Sequence, residues 1–383
     1  MPKKFNITGI CIPEENYMAD MSGRVDRIVS AYIEEGKYFT INRARQYGKT
    51  TMLYLLEKQL KENYLVLSLS FEAAGDYFSS PLNLAEGLIM DIRDALVLQK
   101  VPSDIIEEWS RPVDARFPIR SLGSKITALC RSCRREIVLM IDEVDQSSDN
   151  QIFLTFLGLL RSKYLQQRQG KDITFKSVIL AGVYDIKNLK LKLHPGEESK
   201  YNSPWNIAAD FDVDMHLYTE DIASMLKDYE NDYHTGMDIC YISQLIFDYT
   251  SGYPYLVSRI CQLIEESVQK GKFADRKSAW THEGVVLAEQ ILRKESNTLF
   301  DDMVKKLNDY PKLKEMIYRI LFMGRSYPFD RENMLVNLGV TFGFLKDNDG
   351  TVALANRIFE TRIYDLFICE MAIESEMGCF LCI

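Results

Sequence analysis

The sequence lacks most of what marks a specialised chain. No stretch approaches the roughly 20 apolar residues that a membrane span requires. The apolar maxima, 137–141 and 178–183, fall far short, so no membrane partner is expected. The 20 glycines and 11 prolines are scattered, with no internal repeat or low-complexity tract, which excludes fibrous and solenoid architectures and leaves only short linkers. Lys3 and Lys4 open the chain, but Asn6, Thr8 and Gly9 interrupt any apolar segment behind them, so secretion is not expected and a cytoplasmic location is. Positive charge is the scarcer sign: 46 Lys and Arg face 55 Asp and Glu, a net charge of −9. A field of that sign repels nucleic-acid phosphates, so a nucleic-acid partner is possible through a local patch but is not supported by charge. What remains, 46% hydrophobic and 26% charged over 383 residues, is ordinary globular composition at about two to three domains' length.

Disulfides are not expected either. The 8 cysteines include two Cys-x-x-Cys pairs, Cys130/Cys133 and Cys379/Cys382; no His or further Cys lies near the first to complete a tetrahedral zinc site, and a four-Cys site would have to join two pairs far apart in sequence. They read as intracellular thiols.

Chemistry enters at residues 38–52, YFTINRARQYGKTTM: a β-rich run, a turn, then a segment of helical spacing. Strand, loop and helix N-terminus in that order make a phosphate cradle, in which the backbone N–H groups of Gln46, Tyr47, Gly48, Lys49 and Thr50 face the anion. Lys49 supplies positive charge to the β- and γ-phosphates, and the Thr50 hydroxyl is a ligand for Mg²⁺. Thr51 follows in the same first turn. The usual pattern G-x-x-x-x-G-K-[ST] places its first Gly where this chain has Arg43, and the tripeptide alone also suits a helix that merely begins at Gly48.

A second segment, EIVLMIDEVD at 136–145, is a buried-strand run ending in carboxylates, the position where ligands bind in parallel sheets. Asp142 is expected to hold Mg²⁺ through water, Glu143 to orient and deprotonate the attacking water, and Asp145 to be a lesser third member. Around these motifs, strands are predicted at 38–43, 64–71, 137–142, 175–182 and 211–217. Helices are predicted at 49–62, 82–99, 121–133 and 151–167, which is a doubly wound sheet. Glu directly after the strand-terminal Asp suits the additional-strand class, with 178–182 inserted between the two motif strands and a polar sensor at Tyr184 or Asp185.

FNITGICIP (5–13), YMAD (17–20), the 38–50 run, IDEVD (141–145), VILAGVYD (178–185), SPWNIA (203–208) and SGYPY (251–255) together resemble bacterial AAA-like ATPases of the STAND and AAA+ side of the P-loop superfamily. The resemblance covers nearly the whole chain. Members of that group carry Arg or Pro where the first loop Gly should be, which accommodates Arg43. By the same resemblance Tyr17 packs on adenine, and Pro254 in Gly252-Tyr253-Pro254 packs on the nucleotide at the start of a lid helix. Gly-x-Pro is equally an ordinary helix start. Arg161 stands where relatives place an arginine finger, and equally reads as a solvated surface arginine.

Helical spacing from 218 onward gives a lid, and helices near 312–323 and 331–337, a hairpin about Asn348-Asp349-Gly350 and a helix at 357–367 give a winged helix. The expected fold is therefore an α/β P-loop NTPase parallel sheet of the additional-strand type, then an all-α lid, then a C-terminal winged helix. The expected boundaries are 1–217, 218–308 and 309–367, with a tail at 368–383. The wing carries Asp347 and Asp349 against Lys346, which favours protein contact over DNA. Relatives often continue into a nuclease-like domain of the PD-(D/E)xK type, which is not expected in this chain, since its one Glu-x-Lys triple, Glu198 to Lys200, lies in a polar loop.

The implied function is an ATP/ADP-binding, Mg²⁺-dependent switch ATPase of slow turnover, acting on a protein partner or through self-association. Arg43 and Arg45 are expected on the phosphates. Two other readings stand beside it: a nucleotide-controlled winged-helix DNA-binding regulator, and a degenerate nucleotide-binding scaffold.

Overall fold

The computed structural model describes residues 3–147, 151–183 and 204–380. The chain divides into two compact units, one formed by 21–43 with 49–214 and the other by 1–20, 44–48 and 215–383.

The first unit opens with α1 (Ser22–Ile28), which runs on as a π-helical turn, and continues with β1 (Tyr38–Asn42), α2 (Lys49–Leu60) and β2 (Leu65–Ser70). Then come α3 (Pro81–Leu98), α4 (Ser103–Ser110), α5 (Pro118–Ser132), β3 (Ile137–Asp142), α6 (Gln151–Arg168) and β4 (Ser177–Gly182). Local chemistry sets several starts. Pro81 and Pro118 occupy first turns, where a missing N–H costs nothing, and the Ser80 side chain accepts from the Asn83 N–H.

β3 and β4 are buried at every position, as continuous apolar runs in the middle of a parallel sheet must be. The sheet is wholly parallel in the order β1-β4-β3-β2, so the inserted strand stands where the sequence predicts it. Thr40 lies opposite Leu180, and Leu139 lies between Val178 and Leu67. Phe71, Phe78 and Phe153 meet edge to face beneath the sheet, and Trp205 is fully buried with its indole N–H donating to the Thr40 hydroxyl at 2.8 Å.

The expected strand at 211–217 is absent. In this stretch Ala209 bridges to Phe39, and several polar groups after it are met by side chains. Tyr32 donates to the Asp210 carbonyl at 2.9 Å, Arg43 to that of Val213 at 2.9 Å and Arg24 to that of Asp214 at 2.9 Å. The carbonyls of Val213 and Asp214 are thus given to side chains and not to a ladder.

The second unit holds α7 (Thr219–Tyr233), α8 (Ile239–Thr250), α9 (Pro254–Gln269), α10 (Arg276–Ala279), α11 (His282–Lys294) and α12 (Thr298–Asp309). After these come α13 (Pro311–Met323), α14 (Met334–Thr341), the antiparallel hairpin β5 (Leu345–Asn348) and β6 (Thr351–Leu354), and α15 (Arg357–Phe380). Helix, helix, hairpin and helix is the order predicted for the winged helix. Asp349 and Gly350 both have positive φ, at 49° and 80°, the requirement of a two-residue hairpin turn.

Residues 3–20, expected with the P-loop domain, fold in this second unit. Phe5 stacks on Tyr229 at 5.3 Å and lies 5.1 Å from Tyr17, whose phenol donates to Asp232 at 2.6 Å.

Of the two buried lysines described in the sheet unit, Lys49 and Lys163, the more deeply buried is fully paired. Lys163, 4% exposed, donates to the Gly123 carbonyl at 2.9 Å, the Thr127 hydroxyl at 2.6 Å and Asp172 at 2.8 Å. Burial pushes the Asp172 carboxyl up, but hydrogen bonds from Lys163, Thr127 and the Ile173 N–H outweigh it and hold the group below its ordinary 3.8. A depressed folded-state pKa contributes stability that is present above the ordinary value and is lost as pH falls through the lower one. We expect Asp172→Asn to be less stable at neutral pH and to lose less further stability between about pH 5 and pH 2.5 than the unaltered protein, measured by urea midpoints across that range.

Candidate functional site

β1 ends at Asn42, and the next residue continues the ladder, with the Arg43 N–H donating to the Gly182 carbonyl at 3.1 Å. The Arg43 side chain turns to protein. Its guanidinium donates to the carbonyls of Asn42 and Val213, both at 2.9 Å, and lies 5.4 Å from the Phe211 ring centre. In this structure Arg43 thus ties the 211–213 segment to the strand end.

α2 begins at Lys49, which is 7% exposed and whose ammonium donates to the Arg43 carbonyl at 3.1 Å, closing the loop over itself. Thr51 is half-buried in the same first turn.

From Thr50, 92 residues before Asp142 in sequence, the hydroxyl donates to Asp142 Oδ2 at 2.7 Å. The other carboxylate oxygen of Asp142 accepts from the Glu143 N–H at 2.9 Å, and the aspartate is only 7% exposed. Glu143 has φ +56°, a left-handed backbone that costs a non-glycine residue about 1–3 kcal/mol and is found preferentially at functional sites. Asp145, two residues on, accepts from the Val183 N–H at 2.5 Å, so the turn after β3 is pinned to the end of β4. The sensor candidates Tyr184 and Asp185, and the Glu198 to Lys200 triple, lie outside the described residues.

The loop tip, 44–48, belongs to the second unit. Gly48 has φ +80°, as a tight turn into a helix requires, and Gln46 has φ +56° without being glycine. Tyr47 is 7% exposed, edge-on to Tyr253 at 4.6 Å and to His216 at 5.3 Å. The Tyr253 phenol donates to the Arg45 carbonyl, and the Gln46 side-chain amide donates to the Thr298 hydroxyl at 3.1 Å. Arg45 pairs with Asp302 at 3.7 Å.

Pro254 occupies the first turn of α9, with Tyr253 as its N-cap. Tyr17 is 2% exposed, with Phe5 and Tyr229 against its ring, so no face of it is open to a base in this conformation. Arg161 is half-buried on α6, with a buried Nε that has no hydrogen-bond partner. Cys130 and Cys133 are free thiols. Burial pushes Cys130 up to about 12 and raises Cys133 as well, which suits neither metal binding nor nucleophilic chemistry.

Sequence reading missed Tyr253 and Thr298. The signal for Tyr253 was its place as the middle residue of Gly-x-Pro; Thr298 carried none.

A family model described as the AAA-like domain matches residues 17–349. The chain belongs to the AAA-like domain family. Among curated proteins it is 23% identical, over 265 residues, to an uncharacterized WD repeat-containing protein of Synechocystis sp. (strain ATCC 27184 / PCC 6803 / Kazusa). That match takes in 67% of this chain and spans about a fifth of the relative, 21% of its length.

Among solved structures the AAA-like chain is similar to the Walker-type ATPase of Pyrococcus abyssi, with TM-score 0.58, 13% identity and coverage of 94% of this chain and 99% of that one. It is also similar to the Aeropyrum pernix ORC2 protein in its ADPNP–ADP complexes, with TM-score 0.50, 13% identity and coverage of 96% and 98%. At that identity the likeness is one of fold. No helix among the described residues is long and apolar enough to cross a membrane.

The pinned turn makes Gly182 a steric requirement. A Cβ there would lie 2.8 Å from Asp145 Oδ1 and 3.0 Å from Val144 Cγ2. Gly182→Ala is expected to cost about 1–3 kcal/mol by overpacking, and adding Asp145→Ala to recover part of that loss, in a double-mutant cycle of denaturation midpoints.

Proposed function

We propose that this AAA-like chain binds ATP and ADP with Mg²⁺ and hydrolyses ATP slowly, as a nucleotide-controlled switch of the STAND type. The observation that carries the reading is the Thr50 to Asp142 hydrogen bond. A hydroxyl at a helix start and a carboxylate at a strand end are brought to 2.7 Å in a parallel sheet with the expected strand inserted. Those are two hard oxygen donors from separate elements, the donor set Mg²⁺ takes from protein when phosphate oxygens and waters supply the rest.

Among the described residues no group of three or more His, Cys, Asp or Glu side chains is placed to hold a metal, which fits an ion held mainly by its substrate. Thr50 and Asp142 would hold the ion, and bound there it would neutralise charge on the β- and γ-phosphates.

The chain's own residues supply the remaining parts. The Lys49 ammonium, which donates to the Arg43 carbonyl, would donate instead to phosphate oxygen, a charged acceptor that makes the stronger hydrogen bond. The N–H groups of Gln46 to Thr50 hold the phosphate chain. Glu143 orients a water and takes its proton, and its left-handed backbone is the kind of strain that sets one side-chain direction. Pro254 keeps the nucleotide-contact role proposed for it. Tyr17 keeps its adenine role only if its ring leaves the Phe5 and Tyr229 cluster, so we rank it below Pro254.

We read the partner as a protein or a second copy of the chain. The wing turn presents Asp347, which accepts from the Gly350 N–H at 2.8 Å, and exposed Asp349, an acidic tip that does not suit a phosphate backbone.

Lys49→Ala should abolish measurable ADP and ATP binding in calorimetry. Glu143→Gln should keep ATP binding while phosphate release falls by about 100-fold or more; unchanged phosphate release by that variant would remove Glu143 from the role of base.

A further inference from the structure

Gln46 poses a problem that its own sequence does not solve. A left-handed backbone is unfavourable for a residue with a side chain, yet this loop places Gln46, rather than a glycine, at φ +56°. Something outside the loop must hold it.

The phenol of Tyr253, donating to the Arg45 carbonyl, is placed to do so. All described peptide bonds are trans, and in a trans peptide the C=O and the N–H of one plane point in opposite directions. Aiming the Arg45 carbonyl at Tyr253 therefore aims the Gln46 N–H the other way.

Tyr253 itself is rigidly set. It is 2% exposed and edge-on to both Tyr47 at 4.6 Å and Phe359 at 5.3 Å. The backbone before it is fixed by Gly252, whose φ is +71° and where a Cβ would lie 2.2 Å from the Leu217 carbonyl oxygen. Burial first, then Tyr47 and Asp302, push the phenol well above its ordinary pKa, so it stays a donor at any working pH.

We propose that Tyr253 is a positioning residue of the phosphate cradle: its hydroxyl holds the Arg45–Gln46 peptide plane, keeps Gln46 left-handed and so presents the Gln46 N–H to nucleotide phosphate. This rests on the nucleotide reading above and adds a route of control to it. Tyr253 caps α9 and touches Phe359 of α15, so a shift of either helix changes the cradle directly.

Tyr253→Phe keeps the ring contacts and removes one donor. The ADP dissociation constant should rise about tenfold, the loss of one buried hydrogen bond. Amide exchange of the 42–50 segment, measured without nucleotide, should quicken about fivefold or more. Glycine adopts positive φ freely, so in a Gln46→Gly background the same change should alter ADP affinity by less than about twofold. Equal losses in both backgrounds, unchanged loop exchange, or a lowered melting temperature with unaltered ADP affinity would each overturn the positioning role. Absence of ADP binding by the unaltered protein would overturn the nucleotide reading itself. That failure is separable, because loop exchange is read in the absence of nucleotide.

Discussion

A carboxylate at the buried end of an apolar strand is tolerated only when its charge and lone pairs are met, and the sheet unit is arranged around meeting those of Asp142. Thr50 supplies one hydrogen bond and the Glu143 N–H another. The first fixes the start of α2 against the end of β3, two elements that belong to strands separated in the sheet by β4. β4 must therefore end without bulk where the turn after β3 crosses it, and Gly182 provides that clearance while Asp145 takes the Val183 N–H. The inserted strand, the glycine that closes it and the hydroxyl at the helix start thus answer one electrostatic requirement.

The same logic explains a departure from the usual phosphate loop. Position 43 ordinarily carries glycine, whose value is backbone freedom, but Arg43 is not among the residues of positive φ, so a side chain there meets no backbone penalty. The left-handed turns fall at Gln46 and Gly48 instead. Freed from a conformational duty, position 43 can carry a long side chain, and the planar fork of Arg43 reaches two carbonyls and lies near the Phe211 ring.

What was legible in the sequence follows from range. Strand-to-helix alternation, the buried runs of β3 and β4 and the hairpin turn at Asp349 and Gly350 are written in local period and turn chemistry, and the structure has each of these elements. The 211–217 segment reads as a strand because its apolar content is right. Whether such a segment joins a ladder depends on which distant donors reach its carbonyls, and Arg24, Tyr32 and Arg43 come from up to 190 residues away. α1 and α4 escaped for a related reason: each is short, with few buried positions to declare a period. The N-terminal twenty residues carry no sign that their aromatic partners are Tyr229 and Trp280. Charge counting could not show the contacts of Arg43, because it weighs a cation against an expected anion and ignores backbone carbonyls such as those of Asn42 and Val213.

Strain gives the last step. Two non-glycine residues of the two phosphate-site motifs, Gln46 and Glu143, are left-handed. Each such residue is a cost that folding must offset elsewhere, and the offsets differ. Glu143 is held from within the sheet unit, by its own N–H on Asp142. Gln46 is held by Tyr253 through Arg45, and by Thr298 on its side chain, both within the helical unit. Each offset is thus local to the compact unit that holds the strained residue, so the two can be perturbed separately.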